Sequence, residues 1–481
     1  MDPVNKDLAA APDMSRPDHA PVHRPLDWLG VLALPVAAHI GLPHLGLSPA
    51  ATAYVAALSV GLWIWLRELA PPFVGALLIL ATLVLSGAVP VSVGFAGLAE
   101  IGICRLVGSL SLGHLIDSSG LAQRVTQAML RRLPATARGY HAGLFFLGSL
   151  LTLLLPSSVV RIQIVSSIIA RLAGSNQHKG PDGGAQSIHL AVAALTGVSA
   201  LSTVFLTSNA VNFMMLGMMP EAWREHFGWL AWFKAAAGFL LPFLLAYLVF
   251  FWVVTRRASF SVAAPTVGAR PVPWRPDEKV AATAIAIFAV GAASVSVHHI
   301  AIPLVALAAY LWLHSNRMLD ESAATPPVNW PMVLYLTAMI GLVRSFDALH
   351  LGGELSQALT WLPVMANQNP AGFLMVLIAT TAVMRLFLPA MACNSVLCIM
   401  LIPLTSASSV NPWLITFIVS TTSEGWFFPY QSNDYQLFRI SVGNALENGE
   451  GRFLKLNAIV QALKLAALML AIPYWDAMGL L

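Results

Sequence analysis

The sequence predicts an all-α membrane protein, with about eleven transmembrane helices and two opposed re-entrant hairpins. Three observations carry this. Hydrophobic residues fill 57% of the 481 positions and charged residues only 10%, with a mean hydropathy of +0.74, outside the balance of a water-soluble domain. No Asp, Glu, Lys or Arg occurs between Asp182 and Glu221, between Lys234 and Arg256, or between Arg385 and Glu424. The basic residues sit in short loops between apolar blocks, where they report orientation rather than affinity for nucleic acid.

Residues 1–26 form a polar tail that mixes Lys6, Asp7, Asp13 and Arg16 with prolines. A cleavable signal would need a basic stretch running straight into an apolar one, so the tail reads as cytoplasmic and the first span as retained. Apolar segments at 27–46, 48–66 and 70–88 make a leading group, 27–96. Those at 97–116, 186–219 and 228–254 belong to a first repeat, 97–255, and a cytoplasmic linker, 256–279, follows. Segments at 280–297, 300–316, 329–346, 412–437 and 456–478 belong to a second repeat, 280–481.

Two further apolar blocks, 141–170 and 371–406, do not behave as single crossings. The first lies between Arg124, Arg131, Arg132 and Arg138 on one side and Arg171 and Lys179 on the other. Positive loops on both sides place both ends in the cytoplasm. Cut at Pro156, each half holds about fifteen residues, too few to cross comfortably. The block therefore reads as a hairpin with Pro156-Ser157-Ser158-Val159-Val160-Arg161 at its tip, buried in protein or lining a wet cavity. The block 371–406 lies between neutral loops and comes in from the opposite face. The stretch Gly108 to Gly120 resembles Gly341 to Gly352, and each precedes a hairpin. After each hairpin comes a long segment interrupted by polar residues, Thr207-Ser208-Asn209-Ala210-Val211-Asn212 in one half and Pro429-Tyr430-Gln431-Ser432-Asn433-Asp434 in the other. Interrupted helices at matching positions of an inverted repeat mark the binding site of a transporter.

Arg161 and Arg385 are the charged residues beside the two tips. An isolated charge near the bilayer centre costs about 2.5 kcal/mol or more. A shared anion would offset that cost, as would an acidic partner such as Glu424 or Asp434, or a structural tie to backbone carbonyls. The expected substrate contacts are Ser157, Ser158, Arg161, Asn209, Asn212, Arg385, Gln431, Ser432 and Asn433. The expected ion-coupling set is Ser157, Thr207, Asn212, Ser432, Glu424 and Asp434, with Na⁺ or a proton carried at Asp434 or Glu424. Asp117 and Asp347 read as caps or structural partners, and His114, His298 and His299 as interface or core histidines. Trp223, Trp229, Trp232, Tyr474 and Trp475 read as an interfacial belt. Cys104, Cys393 and Cys398 lack the spacing of a disulfide framework or a zinc site. No phosphate loop, nucleophile elbow or metal-binding helix motif occurs, so neither an enzyme nor a cofactor is indicated.

Glu68 with Pro71 and Pro72, Asp117-Ser118-Ser119-Gly120-Leu121 with Arg124, Trp229 to Lys234, and Ala471 to Leu480 are similar to elements of the divalent anion–sodium symporters, within the wider ion transporter superfamily. Pro156, Ser157 and Arg161 match a Pro-Ser-Asn-Thr-Ala-Arg version of that family's first tip. Thr207 and Asn212 fit its first break, and Ser432 takes the threonine position of the second. Ser158 and Val159 replace an asparagine and a threonine, and Leu388-Pro389-Ala390-Met391-Ala392 lacks the family triplet altogether. The resemblance implies a divergent homodimeric transporter of a dicarboxylate or inorganic divalent anion in the cytoplasmic (inner) membrane, with a cytoplasmic N-terminus. It also implies 27–96 as scaffold, elevator-type movement, and Na⁺ or H⁺ as the coupling ion. Two other readings stand beside it, a cation–proton antiporter of the same superfamily using Asp434 and Glu424, and a non-transporting membrane sensor or anchor.

Overall fold

The computed structural model describes residues 25–67, 69–99, 121–134, 136–155, 157–176, 182–224, 226–256, 273–293, 302–316, 330–405, 408–443, 446 and 449–481. Most of the tail and of the 256–279 linker, most of segment 97–116, Glu68, Cys104, His114, Asp117, Pro156, His298 and His299 lie outside the described residues.

Every regular element among the described residues is helical. The leading helices are α1 (Pro25–Gly41), α2 (Pro49–Leu66) and α3 (Pro72–Leu85), and a short helix α4 (Leu121–Leu130) precedes the first hairpin. Ser48 accepts from the Ala51 amide at 3.1 Å, and Pro49 occupies the first turn of α2, where its missing N–H costs nothing. On α4, Arg124 Nε donates to Glu278 at 2.8 Å across 154 positions of sequence. Glu278 stands in the first turn of α10 (Pro276–Ala293), ahead of its apolar stretch, and its carboxyl is held below the ordinary glutamate value chiefly by that bond.

The first hairpin consists of α5 (Ala137–Leu154) and α6 (Ser158–Asn176). The apolar part of the second arm, Ser158–Ala170, is about 20 Å long at 1.5 Å per residue, short of an apolar layer of about 30 Å. Both arms pack on α7 (Asp182–Ser199). The α5–α7 contact is a seam of bare backbone. A methyl group built on Gly197 would stand 2.4 Å from Phe145 O, and one on Gly148 would stand 2.7 Å from the carbonyl carbon of Gly197. One turn further, Thr152 Oγ1 reaches Gly148 O at 2.9 Å and Val198 O at 3.1 Å.

The apolar run that follows α7 is interrupted. Residues 200–209 leave the helix, with a single 3₁₀ turn at Leu206–Ser208, and α8 (Ala210–Met218) restarts under Asn209, whose side chain accepts from Val211 N at 3.1 Å. The second half repeats the plan after α9 (Trp229–Thr255), α10, α11 (Ile302–Ser315), α12 (Trp330–Ala348), α13 (Leu351–Ala358) and α14 (Trp361–Gln368). Its hairpin is α15 (Pro370–Met384) and α16 (Ala390–Leu404). Its broken helix is α17 (Pro412–Ser423), an irregular stretch at 424–432, and α18 (Asn433–Val442) capped by Ser432. Each hairpin packs on the first part of its own broken helix. Its second arm also meets the restarted part of the other one, α6 against α18 and α16 against α8. The interruptions begin earlier than the sequence suggested, at Ala200 rather than Thr207 and at Glu424 rather than Pro429.

The last long helix, α19 (Glu450–Leu470), packs along α9 and α7. Here the structure corrects the aromatic belt. Trp232 and Trp475 lie in the core with Trp413, and their indole N–H groups donate to Thr203 O at 3.0 Å and Ala235 O at 2.8 Å. Satisfying the N–H inside the protein removes the reason for such a ring to sit at an interface. Trp223 is exposed, and Tyr474 is partly exposed with its hydroxyl on Lys234 O at 2.8 Å. By length and composition Pro49–Leu66, Trp229–Thr255 and Glu450–Ala477 are each able to cross a membrane.

Candidate functional site at the crossing of the broken helices

The two interruptions meet, and side chains of one satisfy those of the other. Glu424, at the C-terminal end of α17, accepts from Asn209 Nδ2 at 2.7 Å and from the hydroxyl of Ser202. Thr421 and Thr203 join at 2.9 Å. A carboxylate donated by one repeat thus holds the unwound backbone of the other, as buried polar groups demand.

Arg161 comes to this crossing from the first turn of α6. Its side chain is 1% exposed, Nη1 donates to Ser208 O at 3.2 Å, and Nε has no partner. Asp434 and Glu424 are the carboxylates whose fields reach it. Asp434 is fixed by Ser158 Oγ at 3.1 Å, so the first hairpin tip and the second break share a hydrogen bond. Of the three ways to offset Arg161, the tie to a backbone carbonyl is present as a direct contact, and the two carboxylates act through space.

Arg385 is held differently. Nε donates to Ser423 O at 2.6 Å, Nη1 to Leu388 O at 2.9 Å, and Nη2 to Gln431 O. Gln431 returns a bond from Nε2 to Arg385 O at 2.9 Å, while its Oε1 accepts from Phe427 N at 2.8 Å and Phe428 N at 2.9 Å. These two side chains therefore brace the turn of the second hairpin against the second break. Asn212 does the same for the first break, with Nδ2 on Ser202 O and Phe205 O, both at 2.8 Å. Its Oδ1 has no partner.

Ser158, Arg161, Asn209, Glu424 and Asp434 are thus brought together, whereas other expected residues stand apart. Ser157 and Asn433 are exposed, Ser432 serves as a helix cap, and Thr207 accepts from Trp229 Nε1 at 3.3 Å. Sequence reasoning missed Ser202 and a polar ladder on α19. There Asn457 Nδ2 donates to Trp426 O at 3.0 Å, Gln461 Nε2 donates to Asn457 Oδ1 at 3.1 Å, and Lys464 lies one turn further, 4% exposed. The spacing i, i+4, i+7 puts the three on one helical face, and that pattern inside an apolar span was the available signal.

Lys464 and Glu424 act on each other through space, so the crossing brings two basic side chains, Arg161 and Lys464, together with two acidic ones, Glu424 and Asp434. A cavity of about 20 Å³ adjoins it, lined by Arg385, Thr422, Gly425, Gln431, Gln461 and Lys464 among others. That volume holds one water-sized molecule. A second cavity, about 290 Å³, lies at the ends of α8, α12 and α16, beside Glu221, Arg224, Arg344 and Asp347.

Two opposed hairpins cradling two crossed, broken helices are the arrangement of a carrier, and the family model for citrate transporters (CitMHS) matches residues 60–422. The chain belongs to this family. The match spans both hairpins, the whole first broken helix and both arginines. The fold is similar to the crystal structure of the Alcanivorax borkumensis YdaH transporter, which is described as having an unusual topology. The two agree with a TM-score of 0.54 at 19% identity, over 80% of this chain and 87% of that one. No curated protein matches the chain by sequence search. The citrate transporter family and the shared fold agree with the resemblance to the ion transporter superfamily, and they establish an integral membrane transporter rather than an enzyme.

Proposed function

We propose that this member of the citrate transporter family is a secondary active transporter of a small polycarboxylate anion, coupled to protons at Glu424 and Asp434. The observation that carries the reading is the buried Arg161, with an unpartnered Nε, lying within the field of two carboxylates where the breaks cross. With both carboxylates ionised, the two cations are offset and an added anion gains nothing. Protonating one carboxylate uncovers a positive charge, and the carboxylate of an incoming anion then restores the balance. Anion and proton therefore favour each other's binding, the reciprocity required for symport. Arginine's planar fork suits a carboxylate. Na⁺ is the less favoured coupling ion, because Val159 and the Ala390-Met391-Ala392 run offer no side-chain oxygen.

In this reading the hairpins and broken helices form the moving part, 27–96 belongs to the scaffold, and movement is elevator-like in a homodimer. The protein then sits in the cytoplasmic membrane with its N-terminus inside. The test is uptake of radiolabelled citrate into proteoliposomes under an imposed pH gradient, acid outside, with Na⁺ replaced by choline. Uptake should follow the proton gradient and vanish in Arg161→Ala. Wild-type uptake by that variant overturns the assignment, and Na⁺-driven proton flux without any carboxylate would favour the antiporter reading.

A further inference from the structure

We propose that the ammonium of Lys464 is a tethered cation that takes, at the second break, the place a mobile alkali cation would take in a cation-driven carrier, leaving that half of the site independent of Na⁺. The inference rests on reading the crossing as the coupling site. Its observations, however, concern the cavity beside Lys464, which that reading does not use.

Lys464 is an expensive residue to hold where it is. It lies 4% exposed on a helix that is long and apolar enough to span a membrane, and a buried ammonium persists only beside acceptors and opposite charge. Both are at hand. Glu424 is the carboxylate whose field reaches it. The cavity that Lys464 lines is also bordered by Thr422 and Gln461, whose Oγ1 and Oε1 are buried without a hydrogen-bond partner. Gln461 Oε1 is aimed at the break itself, 3.5 Å from where a methyl group on Gly425 would stand. Unpartnered oxygens around a space of about 20 Å³, lined by Gly425 immediately after Glu424 in the chain, make a hard-cation environment.

The same lining excludes a free ion. Arg385 and Lys464 both border the cavity, so an alkali ion entering it would be a third positive charge in a dry space. The ammonium therefore serves the oxygens from within the chain through one water, which the volume accommodates. Lysine suits this task better than arginine, being a compact charge on a flexible stem with three donors.

The experiment measures melting of the purified full-length protein in NaCl and in choline chloride at equal ionic strength, with no carboxylate present. The wild type should melt at the same temperature in both salts. Lys464→Ala, which removes the charge and opens room beside the oxygens, should show a saturable rise in Tm with NaCl. Lys464→Met keeps more of the volume and should show the same response more weakly, and it serves if the alanine variant does not fold. Glu424→Gln combined with Lys464→Met removes both members of the pair and should abolish the response. A Na⁺-dependent rise in the wild type overturns the proposal, as does a folded single Lys464 variant, with Glu424 intact, that is indifferent to Na⁺. Because no substrate enters the assay, failure of citrate uptake and failure of the tethered cation are read separately.

Discussion

Alanine in place of Arg385 should unfold the second half of the site, whereas alanine in place of Arg161 should leave the protein folded. Arg385 donates to three main-chain carbonyls, those of Ser423, Leu388 and Gln431. A hydrogen bond from a charged donor contributes about 1.5–3 kcal/mol, so three amount to roughly 4–9 kcal/mol before relaxation. Water entering from the adjoining cavity would recover part, leaving a loss on the order of 4 kcal/mol, a large fraction of a typical folding free energy. Arg161 makes one such bond, at 3.2 Å, and carries the opposing cost of an unpartnered Nε, so its removal should cost roughly 1 kcal/mol or less. The assay is melting followed by tryptophan fluorescence in detergent, alongside size-exclusion profiles. Trp426, buried and stacked on Tyr435 with ring centroids 4.6 Å apart, reports directly on the second break. If Arg385→Ala melts with the wild type, or Arg161→Ala melts lower than Arg385→Ala, the bracing role is refuted.

Glu424→Gln should fold, since an amide oxygen still accepts from Asn209, but its uptake should no longer follow the pH gradient. Glu424→Ala strands both donors and should cost on the order of 3 kcal/mol in melting experiments. Trp475→Phe should lose about 1 kcal/mol with the bond to Ala235 O, and Trp475→Ala about 3–5 kcal/mol with the ring. Because Arg124 holds the Glu278 carboxyl below its ordinary value, its stabilising effect is complete above the unfolded-state value and is lost as pH falls through the folded one. The melting difference between wild type and Glu278→Gln should therefore be full near pH ~6 and shrink as pH falls below the ordinary glutamate range, and a difference that grows on acidification refutes the pairing.

The hairpins and broken helices were legible because each breaks a local rule. A proline or a run of amides inside an uncharged apolar block has no place on a lipid-facing helix, so Ser158, Arg161, Asn209 and Asp434 stood out. What each polar group touches was not legible. Arg161 and Arg385 look alike in sequence, yet one bonds a single carbonyl and keeps Nε unpartnered while the other is spent on three carbonyls, a distinction set by which backbone comes near. Trp475 was read from its neighbours in sequence, while its place is fixed by Ala235, 240 positions away. His141 and His189 drew no notice at all. They meet through their Nδ1 atoms at 3.3 Å only because α5 and α7 run side by side. Lys464 was hidden by its span, since one lysine in a long apolar helix resembles an end that reaches for water.

The glycine seam between α5 and α7 has a mechanical consequence. Two helices that meet through side chains slip past each other by changing rotamers, whereas Gly148 and Gly197 leave main chain against main chain with nothing to rearrange. The first arm and its neighbour are then obliged to travel as one stiff plate, and any flexing must fall on the linkers beyond it. Any side chain added at either glycine, even a methyl group, would accordingly pry the plate apart.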